Sequence, residues 1–205
     1  RFLLKINAEH LIYFIDNILF RNRIIFLWEP KVTRFLMATR GKLFVDIGAC
    51  YGRLSLLLHK NYEQIWAIEP EPQNVKTIIG NITYGHARNV RVIPIAVSDK
   101  IGFVGMRSFS RSDVFKFVPD NCDADVMVAT TTLADLLADK CADLVKVDVE
   151  GAEWQVLNGA ASVLNNVKKW VVELHDLTRK VELEHWFLAH GYKFFWLDDS
   201  HIFAK

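Results

Sequence analysis

Cysteine is scarce in this chain: there are three in 205 residues, Cys50, Cys122 and Cys141. They lie far apart, are odd in number and include no C-x-x-C pair. Neither a zinc knuckle nor a disulfide framework is indicated, and a reducing, cytoplasmic setting fits best. A long basic run is also missing, and the formal net charge is only +1. A nucleic-acid backbone is therefore not the expected partner. No apolar stretch is long and clean enough to span a membrane. Between Leu11 and Trp28 the run is broken by Asp16, Arg21 and Arg23, short of the roughly 20 residues a span needs. No small-residue cleavage site closes that stretch, so a signal peptide is not expected. Repeats, low-complexity tracts and flexible linkers are absent. What the chain does have is apolar bulk, 51% of its residues. That excludes a disordered polymer and is enough for one domain with a real core and an appendage.

The richest stretch is Leu43 to Leu58, LFVDIGACYGRLSLLL. Leu43, Phe44, Val45 and Ile47 form the apolar run of a strand buried on both faces. Asp46 interrupts it, and a carboxylate there needs a partner. The turn Gly48-Ala49-Cys50-Tyr51-Gly52 follows. Leu54, Leu57 and Leu58 then recur at helical spacing. Strand, glycine turn and helix make the first half of a nucleotide-binding α/β unit. The turn reads G-x-x-x-G, so it lacks the third glycine of the dinucleotide fingerprint. Support comes from the next strand, Gln64 to Glu69, which ends in an acid about 20 residues past the glycines. A carboxylate there can take both hydroxyls of a ribose.

The remaining pattern alternates strands and helices. Glu9 to Phe20 has the spacing of an amphipathic helix, and Pro30 to Thr39 a second. Together they form a helical cap over residues 1–40, ahead of a main domain over 41–205. Past the second strand come a helix opened by Pro70 and Pro72, a strand over Val90–Ile95, and the turn Ala96-Val97-Ser98-Asp99. Gly102–Arg107 and Val126–Thr130 read as a hairpin-like addition. The intervening loop, including Ser108 to Phe115, is the expected substrate-selecting segment. Thr132 caps a helix over Leu133–Ala138. In the strand Leu144–Val149, Lys146 and Asp148 share one face, an arrangement that is costly unless partnered. Glu150 to Glu153 opens another helix, and Lys169–Glu173 is the fifth strand, running into His175. Tyr192–Leu197 and His201–Ala204 form a terminal antiparallel hairpin.

This layout predicts an α/β fold, a doubly wound, mostly parallel sheet covered on both faces. Ligands in such sheets bind beyond the carboxyl ends of the strands. Those ends carry Gly48, Glu69, Asp148 and His175, four residues distant in sequence that should meet in one crevice. Asp148 and His175 are the candidate bases for a hydroxyl nucleophile, histidine having the more suitable intrinsic pKa. Asp148 is alternatively an orienting group. Glu150 and Glu153 suit a helix N-terminus. Asp148, Glu150 and His175 are of divalent-ligand type, but their spacing matches no recognised pattern and no metal is assigned.

DIGACYG followed by AIEPEP resembles the first motif and its sequel in class I S-adenosylmethionine-dependent methyltransferases, which have a Rossmann-like sheet. LVKVDVEGAEWQVLNGA and VVELH are similar to the FkbM family of that class. The resemblance runs from about Trp28 to the C-terminus. It implies S-adenosyl-L-methionine as cofactor and O-methylation of a small-molecule or glycan-type hydroxyl. It implies that Asp46, Gly48, Ala49, Gly52, Glu69, Pro70, Ala96, Val97 and Asp148 hold the donor, with adenine against Ala96 and Val97. It also implies a pocket role for the Trp28-Glu29-Pro30 corner. Family members often carry asparagine where Cys50 stands, so donor affinity or loop geometry should differ here. A nicotinamide-dependent oxidoreductase is the rival enzyme class, disfavoured by the missing glycine and the absence of a Tyr-x-x-x-Lys pair. A third reading is a non-catalytic module that pairs, as a homodimer or with a partner, through the N-terminal helices.

Overall fold

Alternation along each strand decides which helices cover which face. Leu43, Val45 and Ile47 point to one core, and Phe44 to the other. The computed structural model describes residues 29–109, 111–118 and 124–205. The helix expected over Glu9–Phe20 and the tryptophan of the Trp28–Pro30 corner lie outside the described residues. The described chain starts with α1 (Pro30–Met37), β1 (Gly41–Ile47), α2 (Arg53–Leu57), β2 (Tyr62–Ile68) and α3 (Pro72–Tyr84). Next come β3 (Val90–Ile93), β4 (Ala96–Val97), β5 (Gly102–Phe109), β6 (Arg111–Val118), β7 (Val126–Thr131) and α4 (Leu133–Leu137). The last elements are β8 (Leu144–Val147), α5 (Glu153–Gly159), β9 (Trp170–Glu173), α6 (Lys180–Ala189), β10 (Phe194–Trp196) and β11 (His201–Ala204).

Seven strands form the main sheet in the order β10-β11-β9-β8-β1-β2-β3. β3, β2, β1, β8 and β9 are parallel, and β11 pairs antiparallel with β9 and β10. Strand order reverses between β1 and β8, so the switch point lies at the ends of these two strands. On one face α4, α5 and α6 bury Leu133, Leu137, Val156, Leu157, Leu183 and Phe187 against Val45, Val145 and Val172. On the other, Val32 and Leu36 of α1, Leu54 and Leu56 of α2 and Ile78 of α3 pack on Phe44, Ile65 and Val171. By parity, Asp46, Lys146, Glu173 and His201 fall on this second face. A polar stripe thus runs under α1 and α2 across four strands.

Three local readings change. Ile93 ends β3, and Ala96–Val97 is not a turn but a two-residue strand paired parallel with Thr130–Thr131 of β7. It belongs to a second, four-stranded sheet, β4-β7-β5-β6. The proline at position 94 cannot donate to a ladder, which gives the reason for the break. The expected long loop after Arg107 is largely strand: β5 continues to Phe109 and pairs antiparallel with β6. Antiparallel pairing supplies the partners that sequence alone did not reveal. Thr132 does cap α4, accepting a bond from the Asp135 N–H. Among the described residues, no helix is long and apolar enough to cross a membrane.

Candidate active site

The loop after β1 is built on close backbone approach. Gly48 has φ +79°, and a Cβ there would lie 1.7 Å from the Asp148 carbonyl oxygen. Only glycine lets the β1 and β8 exits cross this tightly. Gly48 and Ala49 donate to the Ile68 carbonyl at the end of β2, while Asp148 N–H donates to the Ile47 carbonyl. Three strand ends are therefore stitched together at the switch point. Gly52, φ +76°, ends the turn. Cys50 and Glu150 also adopt left-handed backbone, φ 49° and 54°, in the two loops that flank the crossing. Non-glycine residues held there carry strain, which tends to collect at functional sites.

Glu69 at the end of β2 locks that loop. Its Oε2 accepts the Cys50 N–H at 2.9 Å, and its Oε1 accepts the Glu71 N–H at 3.0 Å and the Asn74 amide at 3.4 Å. Burial pushes its carboxyl up to about 7, against the pull of the Glu71 and Cys50 N–H groups. Of about four acceptor positions on a carboxylate, three are used. Glu69 therefore has room for one further hydroxyl, and for two only if the long Asn74 contact yields.

Asp46, buried below the turn, accepts from Ser55 Oγ at 2.7 Å, tying α2 to β1. Burial raises its pKa despite Lys146, its register partner on β8. Lys146 Nζ in turn donates to Asp148 Oδ2 at 2.7 Å. Burial works against the Lys146 charge, but Asp148 and Asp46 outweigh it and the lysine stays protonated. Burial likewise opposes the Asp148 carboxylate, but the Lys146 ammonium holds it below its usual range. The costly charged face of β8 is thus a paired one.

His175, past the end of β9, sits among acids. Its Nδ1 lies 2.8 Å from Glu153 Oε1, its Nε2 3.3 Å from Glu150 Oε2 and 3.9 Å from Asp148 Oδ1. Burial favours the neutral ring, but hydrogen bonds to Glu150 and Glu153 outweigh it and push the pKa up to about 10. At neutral pH His175 is an imidazolium, a donor rather than a base. Glu153 also accepts the Gly151 N–H, so it serves both its helix start and the histidine.

Gly48, Glu69, Asp148 and His175 thus line one edge of the sheet. Ala49, Ala96 and Val97 have buried side chains packed into three separate apolar cores. A ligand would meet these three through backbone. Pro70 is half-buried beside Glu69. Sequence reasoning missed Glu173 and His201 as members of the same polar edge, which Glu29 of the expected pocket corner joins. The parity of β9 and β11 was a usable signal for the first two, since each carries its polar residue at the strand end on one face.

A family model, the Methyltransferase FkbM domain, matches residues 46–194. The chain belongs to this family. Among solved structures, an FkbM methyltransferase from Methylobacillus flagellatus KT is similar with a TM-score of 0.62 and 18% identity. The likeness covers 80% of this chain and 44% of that one, so the present chain spans under half of that relative's length. A precorrin-6y C5,15-methyltransferase from Geobacter metallireducens GS-15 matches at TM-score 0.51 and 18% identity, over 80% of this chain and 70% of that one. A SAM-dependent methyltransferase from Aquifex aeolicus matches at 0.52 and 12% identity, over 89% and 90%. At these identities the likeness speaks to fold. No curated protein matches the chain. The FkbM match takes in the glycine turn, Glu69, the paired β8 face and His175, so the matched region and this edge of the sheet coincide.

Proposed function

We propose that this FkbM-family chain transfers a methyl group from S-adenosyl-L-methionine to a hydroxyl of a small-molecule or glycan-type acceptor. The observation that carries the reading is the convergence of Gly48, Glu69, Asp148 and His175 along one carboxyl edge. The residues present suit the donor in kind: a bare glycine turn next to a buried carboxylate with acceptor capacity left. Glu69 takes a sugar hydroxyl, Gly48, Ala49, Gly52 and Pro70 shape the turn around it, and the backbone at Ala96–Val97 borders the base. Asp46 works from beneath, through Ser55 and Lys146. When bound, the cofactor supplies an electrophilic methyl carbon on a sulfonium.

Asp148 stays ionised beside Lys146 and accepts a hydrogen bond from the acceptor hydroxyl, taking its proton as the oxygen gains the methyl group, or else orients the donor's amino group. His175, protonated, directs its two N–H groups at Glu153 and Glu150, holds them in place and sets a positive charge on the acceptor side. Orientation of the two reactants in one crevice supplies much of the rate in an in-line displacement. A wall of carboxylates suits an acceptor rich in hydroxyls, and the oxygen preference follows the family resemblance. The test is transfer of an isotope-labelled methyl group from the donor to a panel of mono- and oligosaccharides, read by carbon NMR. An O-methyl signal, lost in Asp148→Asn, is expected. Label on nitrogen or carbon contradicts the oxygen assignment. Fluorescence enhancement on adding NADH, without donor binding, favours the oxidoreductase alternative.

A further inference from the structure

The polar edge holds a second histidine that methyl transfer does not use. His201, the first residue of β11, is 1% exposed. Its Nδ1 lies 3.0 Å from Asp198 Oδ1, an oxygen that also accepts the backbone N–H groups of Ser200 and His201. With Ser200 Oγ also 3.1 Å from Nδ1, a carboxylate fixed in this way orients the ring with Nδ1 as donor and leaves Nε2 as the ligand atom. That Nε2 is buried and has no hydrogen-bond partner. It faces Glu173 Oε2 at 3.3 Å and Glu29 Oε2 at 3.7 Å, close enough for charge interaction but not in hydrogen-bond geometry. One ligand atom from each of these three residues lies within 4.8 Å of the others.

We propose that Glu29, Glu173 and His201 form a binding site for a divalent transition-metal cation, with Asp198 orienting the histidine from behind. The spacing suits it: ligand atoms about 2.0–2.1 Å from a tetrahedral zinc ion stand roughly 3.3–3.4 Å apart. The charges suit it as well. Glu29, Glu173 and Asp198 bring three carboxylates to one imidazole, with Arg53 3.6 Å from Glu29 Oε2 and the Lys146 charge also acting on Glu29, a setting that favours a bound cation. One imidazole with two carboxylates favours Zn²⁺ or Mn²⁺ over Mg²⁺ or Ca²⁺. Three protein ligands leave a fourth position for water or an acceptor oxygen.

Asp148, Glu173 and His175 form a neighbouring candidate set. Glu173 is common to both sets, so one ion draws on it, and the buried Nε2 without a hydrogen-bond partner belongs to His201. The proposal stands whether or not the chain transfers methyl groups.

The full chain, stripped with chelator and held at about pH 8, is titrated calorimetrically with Zn²⁺ alone and with Mn²⁺ alone. One ion per chain is expected, with affinity lowered at least about tenfold in His201→Gln and in Glu173→Gln. His185→Gln, which changes an exposed histidine, should bind as wild type. Thermal melts without metal establish that each variant folds. X-ray absorption on the zinc-loaded wild type, which needs no variant, should show one imidazole among oxygen ligands. Absence of binding overturns the proposal and leaves His201 a protonated counter-ion for its acids. Binding that survives His201→Gln but is lost in His175→Gln overturns the ligand set.

Discussion

His175 is charged at neutral pH because Glu150, Glu153 and Asp148 face it. Its folded-state pKa of about 10 lies above the ordinary value of 6.5. The stability it contributes is therefore complete below about pH 6.5 and is lost as pH rises through about 10. His175→Gln should cost about 2 kcal/mol at pH 6, and the gap from wild type should close by about pH 10. Urea melts at the two pH values check this; a gap that stays constant contradicts it. Glu69 titrates the other way for ligand. Its carboxyl, pushed up to about 7 by burial, accepts hydroxyls best when ionised. Affinity for S-adenosylhomocysteine should be flat above pH 8 and fall as pH drops through 7, approaching tenfold per unit. Affinity independent of pH across this range would show that the carboxylate does not take part. Glu69, Asp148 and His175 were legible in the sequence because each ends a strand of a predictable α/β repeat. His175's charge state was not legible. It depends on Glu150 and Glu153, which arrive from the start of another element.

At the scale of elements, the site depends on close crossings made by glycine. A Cβ at Gly159, the last residue of α5, would stand 2.0 Å from the Ser98 carbonyl, and one at Gly48 1.7 Å from that of Asp148. Gly48→Ala and Gly159→Ala should each destabilise by more than about 3 kcal/mol. Gly80, on the exposed side of α3 with open space around it, should behave oppositely, Gly80→Ala stabilising by about 0.5–1 kcal/mol. Chemical denaturation of the three variants tests the set. A mild effect at Gly48 would contradict the tight joining of β1 and β8. The G-x-x-x-G turn announced the need for glycine at 48 and 52. Gly159 stands in the LVKVDVEGAEWQVLNGA motif, but its close approach to Ser98 was not legible, because that neighbour is set by the path of the chain out of β4. The second sheet was likewise only half readable: β5 and β7 were visible as strands, while β4 is two residues long and β6 follows from pairing with β5.

For the whole molecule, the parallel sheet with its antiparallel end follows from alternation of strand and helix and from the terminal hairpin. The switch between β1 and β8 then locates the crevice before any side chain is placed. What pattern alone did not supply is the polar stripe under α1 and α2, from Asp46 through Lys146 to Glu173 and His201. It requires three strand registers at once. The account as a whole rests on the glycine turn and Glu69 holding the adenosyl end of a methyl donor. Calorimetric titration of S-adenosylhomocysteine into the wild-type chain and into Glu69→Ala tests that most directly, with a melt of each protein to establish folding. One site per wild-type chain is predicted, with affinity lowered at least about tenfold, on the order of 1.4 kcal/mol, in the variant. No heat with wild type, or equal affinity in a folded Glu69→Ala, would contradict it.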